Sequence, residues 1–333
     1  MPISIKDIAK AAGVSHSTVS RALSDSPLVK EETKRRVQQL ALEMGYSPNA
    51  AARSLVTKRS GTLGLVVTTI ADPFIAEVVR GIEEMALEQG YNVILAQSNS
   101  EVSREIAAVH ALRAQRVDAV IISASRVGDL YLPLLEKIQV PIVLVNNEQS
   151  SSSVHVVASD DVGGGRQATE YLLSLGHRRI GYITGSADRK SSAHRLRGYR
   201  EALQAAGITS DPDLVAEGTG QPHGGEKGLQ LLLSLPEPPT AVFCYNDMTA
   251  IGALRYARRR GLRVPQDLSL IGFDDIAFSA YTEPPLTSVA QHKNEMGRLV
   301  TRMALGLVAG EEVQDIILPT YLVIRESCQR LGE

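Results

Sequence analysis

A group of hydrogen-bonding side chains near the start of the chain suggests contact with nucleic acid. The group lies in SHSTVSRAL, residues 15–23, and includes His16, Ser17, Thr18 and Arg21. Hydroxyl, imidazole and guanidinium groups form hydrogen bonds with base edges and phosphate oxygens, and arginine pairs in a bidentate manner with guanine. These residue types therefore indicate DNA recognition, provided that one surface presents them together.

Two short helices joined by a tight turn are predicted to present this surface. Ser4 is suited to cap the first helix, and Gly13 is suited to the turn that follows it. Ser15 is suited to cap the second helix, whose apolar residues recur at helical spacing and leave the polar ones on the opposite face. A third helix is predicted over residues 31–44, and the three together form a helix-turn-helix.

The distribution of charge supports a nucleic-acid partner. Residues 1–60 contain ten Lys and Arg and five Asp and Glu, a net charge of +5, whereas the rest of the chain has 25 and 32, a net charge of −7. A basic module on an acidic body is typical of DNA-binding proteins. The alternative, a small helical bundle with no partner, does not account for this asymmetry.

The segments AGVSHSTVSRAL and GYSPNAAARSL together resemble the lac repressor (LacI) family of bacterial transcription regulators. The two motifs stand in the family's order and spacing, and the resemblance covers the whole chain. It implies a homodimer on a pseudo-palindromic operator in double-stranded DNA, with one recognition helix per half-site. It also implies base contacts by His16, Ser17 and Arg21, and phosphate contacts near Ser4, Ser15, Thr18 and Ser24.

The next segment, residues 48–60, is predicted to contain a hinge helix and a linker. Its first part has good helix-forming composition but is too short to be a stable isolated helix in water. The resemblance implies that two such helices pack together in the minor groove, where Leu55 wedges between base steps and Asn49 and Ala52 lie at the DNA. The alternative is an ordinary flexible linker, which we favour for residues 57–60.

From residue 62 onward, short apolar runs alternate with amphipathic stretches, as in parallel sheets covered by helices. One βα unit occurs twice, because the strand glycine and the helix Arg-Gly pair have the same separation in both copies, Gly64 with Arg80-Gly81 and Gly181 with Arg197-Gly198. The repeat predicts two Rossmann-like lobes, and hence an α/β fold class with a small all-α head. The resemblance implies lobes of the periplasmic-binding-protein type.

The chain is predicted to contain three parts: a head (1–47), a hinge and linker (48–60), and an effector-binding and dimerisation domain (61–333). Within the last part, we expect an N-lobe of about 61–159 and 291–319 and a C-lobe of about 162–288 and 322–333.

Polar residues that follow the predicted strands indicate a small-molecule site between the lobes. Ligands of open α/β sheets bind at the carboxyl ends of the strands, where residues distant in sequence meet. Carboxylate, amide and guanidinium groups bind vicinal hydroxyls, so we expect a carbohydrate effector. The candidate effector contacts, several of which match the family's, are Phe74, Asp160, Arg189, Arg195, Asn246 and Asp274.

Alternatives stay open at several of these positions. Phe74 is equally suited to an ordinary apolar core. Asp247 and Asp275 are predicted to be helix N-caps or cross-lobe pairs, whereas Asp274 is expected to contact only the ligand. Many family members place an aromatic residue in the loop where this chain has Gly220, so the sequence predicts a site without that stacking surface.

Other classes of protein fit less well. The chain lacks HExxH, GxSxG, GxxxxGK[ST] and GxGxxG motifs, so neither an enzyme nor a cofactor is expected. Two cysteines without a CxxC motif predict neither a disulfide framework nor a thiolate metal site. Without a signal-peptide pattern or a long apolar run, we expect a cytoplasmic protein with no membrane partner. The alternatives are a regulator controlled by a partner protein and, less consistent with the basic head, a plain solute-binding protein.

The substitution Leu55→Ala tests the predicted hinge helix. It removes the apolar wedge that would unstack a base step, so we expect weaker operator binding and a smaller DNA bend. A gel-phasing assay measures the bend on an operator selected from random duplexes, with Thr57→Ala in the predicted linker as the control. A bend that Leu55→Ala leaves unchanged would contradict the hinge role.

Overall fold

The computed structural model describes residues 3–46, 59–123, 137–138, 140–147, 154–187 and 189–332, and the chain forms two compact units, Met1–Ser60 and Gly61–Glu333. The predicted hinge contacts Asn49, Ala52 and Leu55 lie outside the described residues.

The described residues of the first unit form three helices: α1 (Ile5–Ala12), α2 (His16–Leu23) and α3 (Glu31–Glu43). They pack around a small apolar core that includes Ile8, Val19 and Val37. Gly13 ends α1 in the left-handed backbone region at φ 65°, which is why glycine suits this turn. The predicted helix-turn-helix is thereby formed.

The first sheet of the second unit contains six parallel strands. They are β1 (Thr62–Val67), β2 (Asn92–Gln97), β3 (Ala119–Ser123), β4 (Ile142–Val145), β5 (Val154–Ser159) and β11 (Ile316–Leu318). Across the sheet they lie in the order β11–β5–β4–β3–β1–β2. The helices that pack on this sheet are α4 (Pro73–Glu88), α5 (Val102–Ala114) and α10 (Lys293–Ala309), and we call the whole the N-lobe. No helix was predicted where α10 lies.

The second sheet also contains six strands and forms the C-lobe. They are β6 (Ile180–Ile183), β7 (Val215–Ala216), β8 (Ala241–Cys244), β9 (Ser269–Asp274), β10 (Thr287–Ala290) and β12 (Tyr321–Val323). The order is β12–β10–β9–β8–β6–β7, and β12 alone of these is antiparallel to its neighbour. The helices of this lobe are α6 (Asp161–Ser174), α7 (Lys190–Ala205), α8 (Pro222–Leu233) and α9 (Asp247–Arg259). The predicted α/β fold class, a helical head followed by two parallel-sheet lobes, is confirmed.

The chain crosses between the two sheets three times. It leaves the first sheet after β5, returns after β10 and crosses again between β11 and β12. Each lobe is therefore built from segments far apart in sequence. The carboxyl ends of β5 and β10 lead directly into the crossings, which places residues such as Asp160 and Gln291 at the junction of the lobes.

The internal repeat marks positions where helices pack closely in both lobes. A β-carbon at Gly81 in α4 would lie 2.1 Å from the carbonyl oxygen of Asn294 in α10. Likewise, a β-carbon at Gly198 in α7 would lie 2.1 Å from the carbonyl oxygen of Val162 in α6. Real β-carbons do not approach this closely, so only glycine permits these helix pairs their present separation.

The substitution Gly198→Ala tests this packing. The added methyl group must displace α6 from α7, so we expect the free energy of unfolding to fall by about 1–3 kcal/mol. Urea unfolding measures the change. The control is Gln204→Ala, an exposed position on the same helix, for which the expected change is within about 0.5 kcal/mol. Equal stability of Gly198→Ala and the parent protein would rule out this explanation of the repeat.

Candidate functional site

Helix α2 presents a polar, solvent-exposed face. The Ser15 hydroxyl caps the helix by accepting a hydrogen bond from the Thr18 amide at 3.1 Å, and it lies 2.8 Å from the hydroxyls of Ser17 and Thr18. His16, Ser17 and Arg21 are exposed, whereas Thr18 is partly buried. The three predicted base contacts are therefore all accessible to solvent.

The other predicted DNA contacts of the head lie at helix ends. The Ser4 amide and hydroxyl donate to the Asp7 carboxylate at 2.9 and 2.7 Å, and these hydrogen bonds lower the pKa of Asp7. The Ser24 hydroxyl donates to the Ser20 carbonyl at 2.9 Å. Both serines thus stabilise helix ends, and their roles at phosphates stay predictions.

A cavity of about 470 Å³ lies in the second unit, beside the first crossing between the lobes. Its walls come from the ends of β4 and β5, from the first half of α7 and from the region of β11. The polar residues that line it include Asn146, Asn147, Ser159, Asp160, Asp161 and Ser191. Its volume is in the range of ordinary small-molecule sites.

Next to this cavity, Arg195 is the centre of a buried charged cluster. The side chain is only 3% exposed. Its Nε donates to Asp161 Oδ1 at 2.7 Å, and its Nη1 donates to the Tyr245 carbonyl at 2.7 Å. Nη1 also lies 3.3 Å from Asp274 Oδ1. Burial alone would lower the pKa of Arg195, but the two carboxylates raise it, so the guanidinium stays charged.

Two aromatic rings complete the surroundings of this guanidinium. The Arg195 Cζ lies 3.6 Å from the centroid of Phe273 and 4.7 Å from that of Tyr245. Cation–π contacts of this kind stabilise a desolvated arginine. The planar donor group is therefore held in one orientation, as a recognition arginine requires.

Asp274 is bonded within the protein, so the expectation that it contacts only the ligand is wrong. Its Oδ1 accepts a hydrogen bond from Gln291 Nε2 at 2.6 Å in addition to facing Arg195. Burial raises the pKa of Asp274 to about 7, although Arg195 acts against this. Lys293 Nζ donates to the carbonyl oxygens of Asp274 and Asp275, both at 2.6 Å. The two aspartates have left-handed φ angles of 101° and 48°, which this lysine helps to hold.

Asn246 and Asp160 both serve as helix caps. Asn246 Oδ1 accepts from the amide of Thr249 at 2.9 Å and from its hydroxyl at 2.7 Å, while Nδ2 donates to the Gly220 carbonyl at 3.1 Å. Asp160 caps α6 through the Gly163 amide at 2.8 Å and is exposed at the cavity. Of the two, Asp160 is thus the one with access to a ligand in this cavity.

The remaining predicted effector contacts are less central. Phe74 is buried in an apolar core that also includes Ile276 of the C-lobe, so its ring contributes to the contact between lobes. Arg189 is partly exposed just before α7, and its side chain makes no capping hydrogen bond. Neither residue lines the described cavity. Their assignment as effector contacts stays a prediction.

The predictions for Asp247 and Asp275 are wrong. Asp247 is not a cap but lies inside α9, where its carboxylate accepts from the Ser288 and Ser279 hydroxyls at 2.6 and 2.7 Å. Burial raises the pKa of Asp247 to about 6. Asp275 pairs with Arg325 at 2.7 Å. The partners of both carboxylates belong to the C-lobe, so these two side chains connect elements of one lobe.

Sequence reasoning did not identify four residues around the Arg195 cluster, which are Asp161, Tyr245, Gln291 and Lys293. The sequence carries a signal for two of them. Asp161 belongs to the doublet Asp160–Asp161, and Tyr245 directly follows β8. Nothing local marks Gln291 or Lys293, because their partners are 17 to 19 residues away in the chain.

Two negative findings concern the described residues. In that part of the chain, no group of three or more His, Cys, Asp or Glu could hold a metal ion. Within the same ranges, no helix is long and apolar enough to cross a membrane.

Comparison with known proteins connects both parts of the chain to one family. Residues 4–49 match the model of bacterial regulatory proteins of the lacI family, and residues 169–328 match a periplasmic binding protein-like domain. The HTH-type transcriptional repressor CytR of Escherichia coli K12 is 36% identical over 334 residues, covering 98% of this chain and 96% of CytR. The ribose operon repressor of Haemophilus influenzae is 35% identical, covering 98% and 99%.

Among solved structures, one similar chain is that of the lac repressor dimer bound to operator and the anti-inducer ONPF. It matches with a TM-score of 0.89 and 30% identity, and the match covers 99% of this chain and 100% of the lac repressor chain. The transcriptional regulator CelR in complex with cellobiose matches with a TM-score of 0.74 and 35% identity, covering 98% and 99%. The similarity thus extends over 98% to 99% of this chain, and the chain belongs to the lacI family of bacterial regulatory proteins.

Proposed function

We propose that this protein is a transcriptional repressor whose affinity for operator DNA is controlled by a small molecule bound between its lobes. The observation that carries the proposal is the presence, in one chain, of an exposed polar α2 in a basic head and a polar cavity at the junction of two lobes. The relatives named above are repressors, which supports the same function here.

We propose a carbohydrate as the effector. The cavity is lined by amides, hydroxyls and carboxylates, which suit a ligand rich in hydroxyl groups. Three buried hydroxyls, those of Thr68, Ser123 and Ser159, have no hydrogen-bond partner among the described residues, and all lie at carboxyl ends of N-lobe strands. A buried polar group without a partner is costly, so a ligand that bonds to such groups gains affinity. The cellobiose complex of CelR is consistent with this class.

The proposed mechanism links lobe geometry to DNA. A ligand that contacts both lobes favours one angle between them. In a homodimer that angle would set the separation of the two heads, and hence whether both reach half-sites of a pseudo-palindromic operator. The homodimeric lac repressor on its operator supports this arrangement. Because a repressor acts where bacterial DNA lies, we propose a cytoplasmic location.

A ligand screen followed by operator binding tests the proposal. A panel of D-ribose, D-glucose, uridine and cellobiose is tested by thermal shift, because a ligand of the native state raises the melting temperature. We expect a ligand found in this way to change operator affinity about 5- to 150-fold, by reciprocal coupling.

The substitution Asp274→Asn should abolish that change, since Asp274 lies in the Arg195 cluster. The control, Asp267→Asn, disrupts a surface ion pair with Arg263 and should respond like the parent protein. If no panel member alters the melting temperature or operator binding, control by a partner protein becomes the better explanation.

Arg21→Ala tests the proposed base contact of α2. Loss of a bidentate contact to guanine should cost about 1–3 kcal/mol per half-site on the operator and little on scrambled DNA. Arg35→Ala is the control, because Arg35 is an exposed arginine of α3 and should leave the ratio of the two affinities unchanged. Equal losses for Arg21→Ala on both DNAs would instead identify a phosphate contact.

A further inference from the structure

We infer that Lys293 is a positioning residue that couples the angle between the lobes to the Arg195 cluster. It connects the first turn of an N-lobe helix to the C-lobe strand end that bears Asp274, so a change in lobe angle moves this carboxylate. The inference rests on the proposed function, because it concerns how the same regulator transmits its response. Lys293 was not among the predicted site residues.

The ammonium group of Lys293 contacts the C-lobe at two points. Its Nζ donates to the carbonyl oxygens of Asp274 and Asp275, both at 2.6 Å. Hydrogen bonds from a charged donor are stronger than those between neutral groups. The lysine is also partly buried, so solvent ions screen its charge less than they would at an exposed position. One side chain therefore holds two consecutive peptide groups of the other lobe.

The backbone that Lys293 holds is strained. Asp274 and Asp275 have φ angles of 101° and 48°, and residues other than glycine rarely adopt left-handed conformations. Two such residues in succession persist only where the surrounding structure holds them. Asp274 Oδ1 lies 3.3 Å from Arg195 Nη1. The conformation that places this carboxylate in the cluster thus depends on contacts such as those of Lys293.

The other end of the connection is fixed in the N-lobe. Lys293 is the first residue of α10, which packs against α4 and the strands of the first sheet. A β-carbon at Gly297 of α10 would lie 2.2 Å from the carbonyl oxygen of Val78 in α4, so the two helices are in close contact. Arg298 of α10 also donates to both carboxylate oxygens of Glu88, at 3.0 and 2.7 Å. A movement of the N-lobe therefore carries α10 and Lys293 with it.

Gln291 has a different place in this network. It also donates to Asp274, at 2.6 Å, but it directly follows β10, a strand of the C-lobe sheet. Its hydrogen bond therefore moves with the C-lobe. Lys293 reaches the same strand end from the N-lobe helix, so it is the side chain whose removal should separate ligand binding from the response.

The substitution Lys293→Met tests the inference, because it removes the ammonium group and keeps most of the side-chain length. A ligand of the panel that stabilises the parent protein should bind this variant with a dissociation constant close to the parent value, since Arg195 and its partners stay in place. Its effect on operator affinity should fall from the 5- to 150-fold expected for the parent protein to less than about threefold.

Three further variants serve as controls. Lys293→Arg keeps the charge and the N–H donors and should retain more of the coupling than Lys293→Met. Lys227→Met removes an exposed lysine of α8 and should respond like the parent protein. Lys293→Gln provides a second uncharged variant if Lys293→Met does not fold. Melting temperatures are measured for all of them, because a lower melting temperature with unchanged coupling would identify a merely structural lysine and overturn the inference.

Hydrogen–deuterium exchange provides a readout that needs no effector. If operator binding changes the lobe angle, Lys293 should transmit the change to the end of β9. We therefore expect the operator to alter amide exchange of residues 269–281 in the parent protein and in Lys227→Met, and to alter it clearly less in Lys293→Met. Equal changes in all three proteins, or no change in the parent protein, would contradict the role of Lys293.

The outcomes distinguish this inference from the proposed function. If no panel ligand shifts the melting temperature, but the operator alters exchange in the parent protein and not in Lys293→Met, the proposed class of effector fails and the role of Lys293 is supported. If a panel ligand changes operator affinity equally in the parent protein and in Lys293→Met, the proposed function is supported and the inference about Lys293 is overturned.

Discussion

The buried guanidinium of Arg195 is the interaction on which much of the C-lobe depends. A charge without solvent is costly unless it is paired, and two carboxylates and one backbone carbonyl meet that requirement here. These partners come from the start of α6 and the ends of β8 and β9, so one side chain connects α7 to three other elements. The same network lies beside the cavity, and therefore the stability of the lobe and the geometry of the site share their residues.

Close helix packing is the second constraint. Gly165 in α6 faces the backbone of Arg195, where a β-carbon would lie 2.4 Å from its carbonyl oxygen, and Gly198 faces Val162 in return. The separation of α6 and α7 thus sets how far Arg195 stands from Asp161. The corresponding pair in the N-lobe, α4 and α10, uses Gly81 and Gly297 in the same manner. Because α10 follows the second crossing, N-lobe packing depends on a segment that arrives through the C-lobe.

That crossing also connects the site to both lobes. Gln291 and Lys293 stand on either side of it, and both bond to Asp274 at the end of β9. Lys293 is the first residue of α10, which packs on N-lobe strands. The carboxylate that faces Arg195 is therefore bonded to the segment that a change in lobe angle would move. This arrangement gives a physical route by which ligand contacts and lobe geometry influence one another.

The local pattern of the sequence was sufficient for the helix-turn-helix, the parallel strands and the repeated lobes, because caps, periodicity and apolar runs report on nearby backbone. It also placed polar residues at strand ends, and thus the region of the site. It did not distinguish Asp161 from Asp160 as the partner of Arg195, did not show that Asp274 is bonded internally, and did not identify Tyr245 or α10. Those features depend on which side chains of distant segments meet at atomic distance, and only tertiary packing decides that.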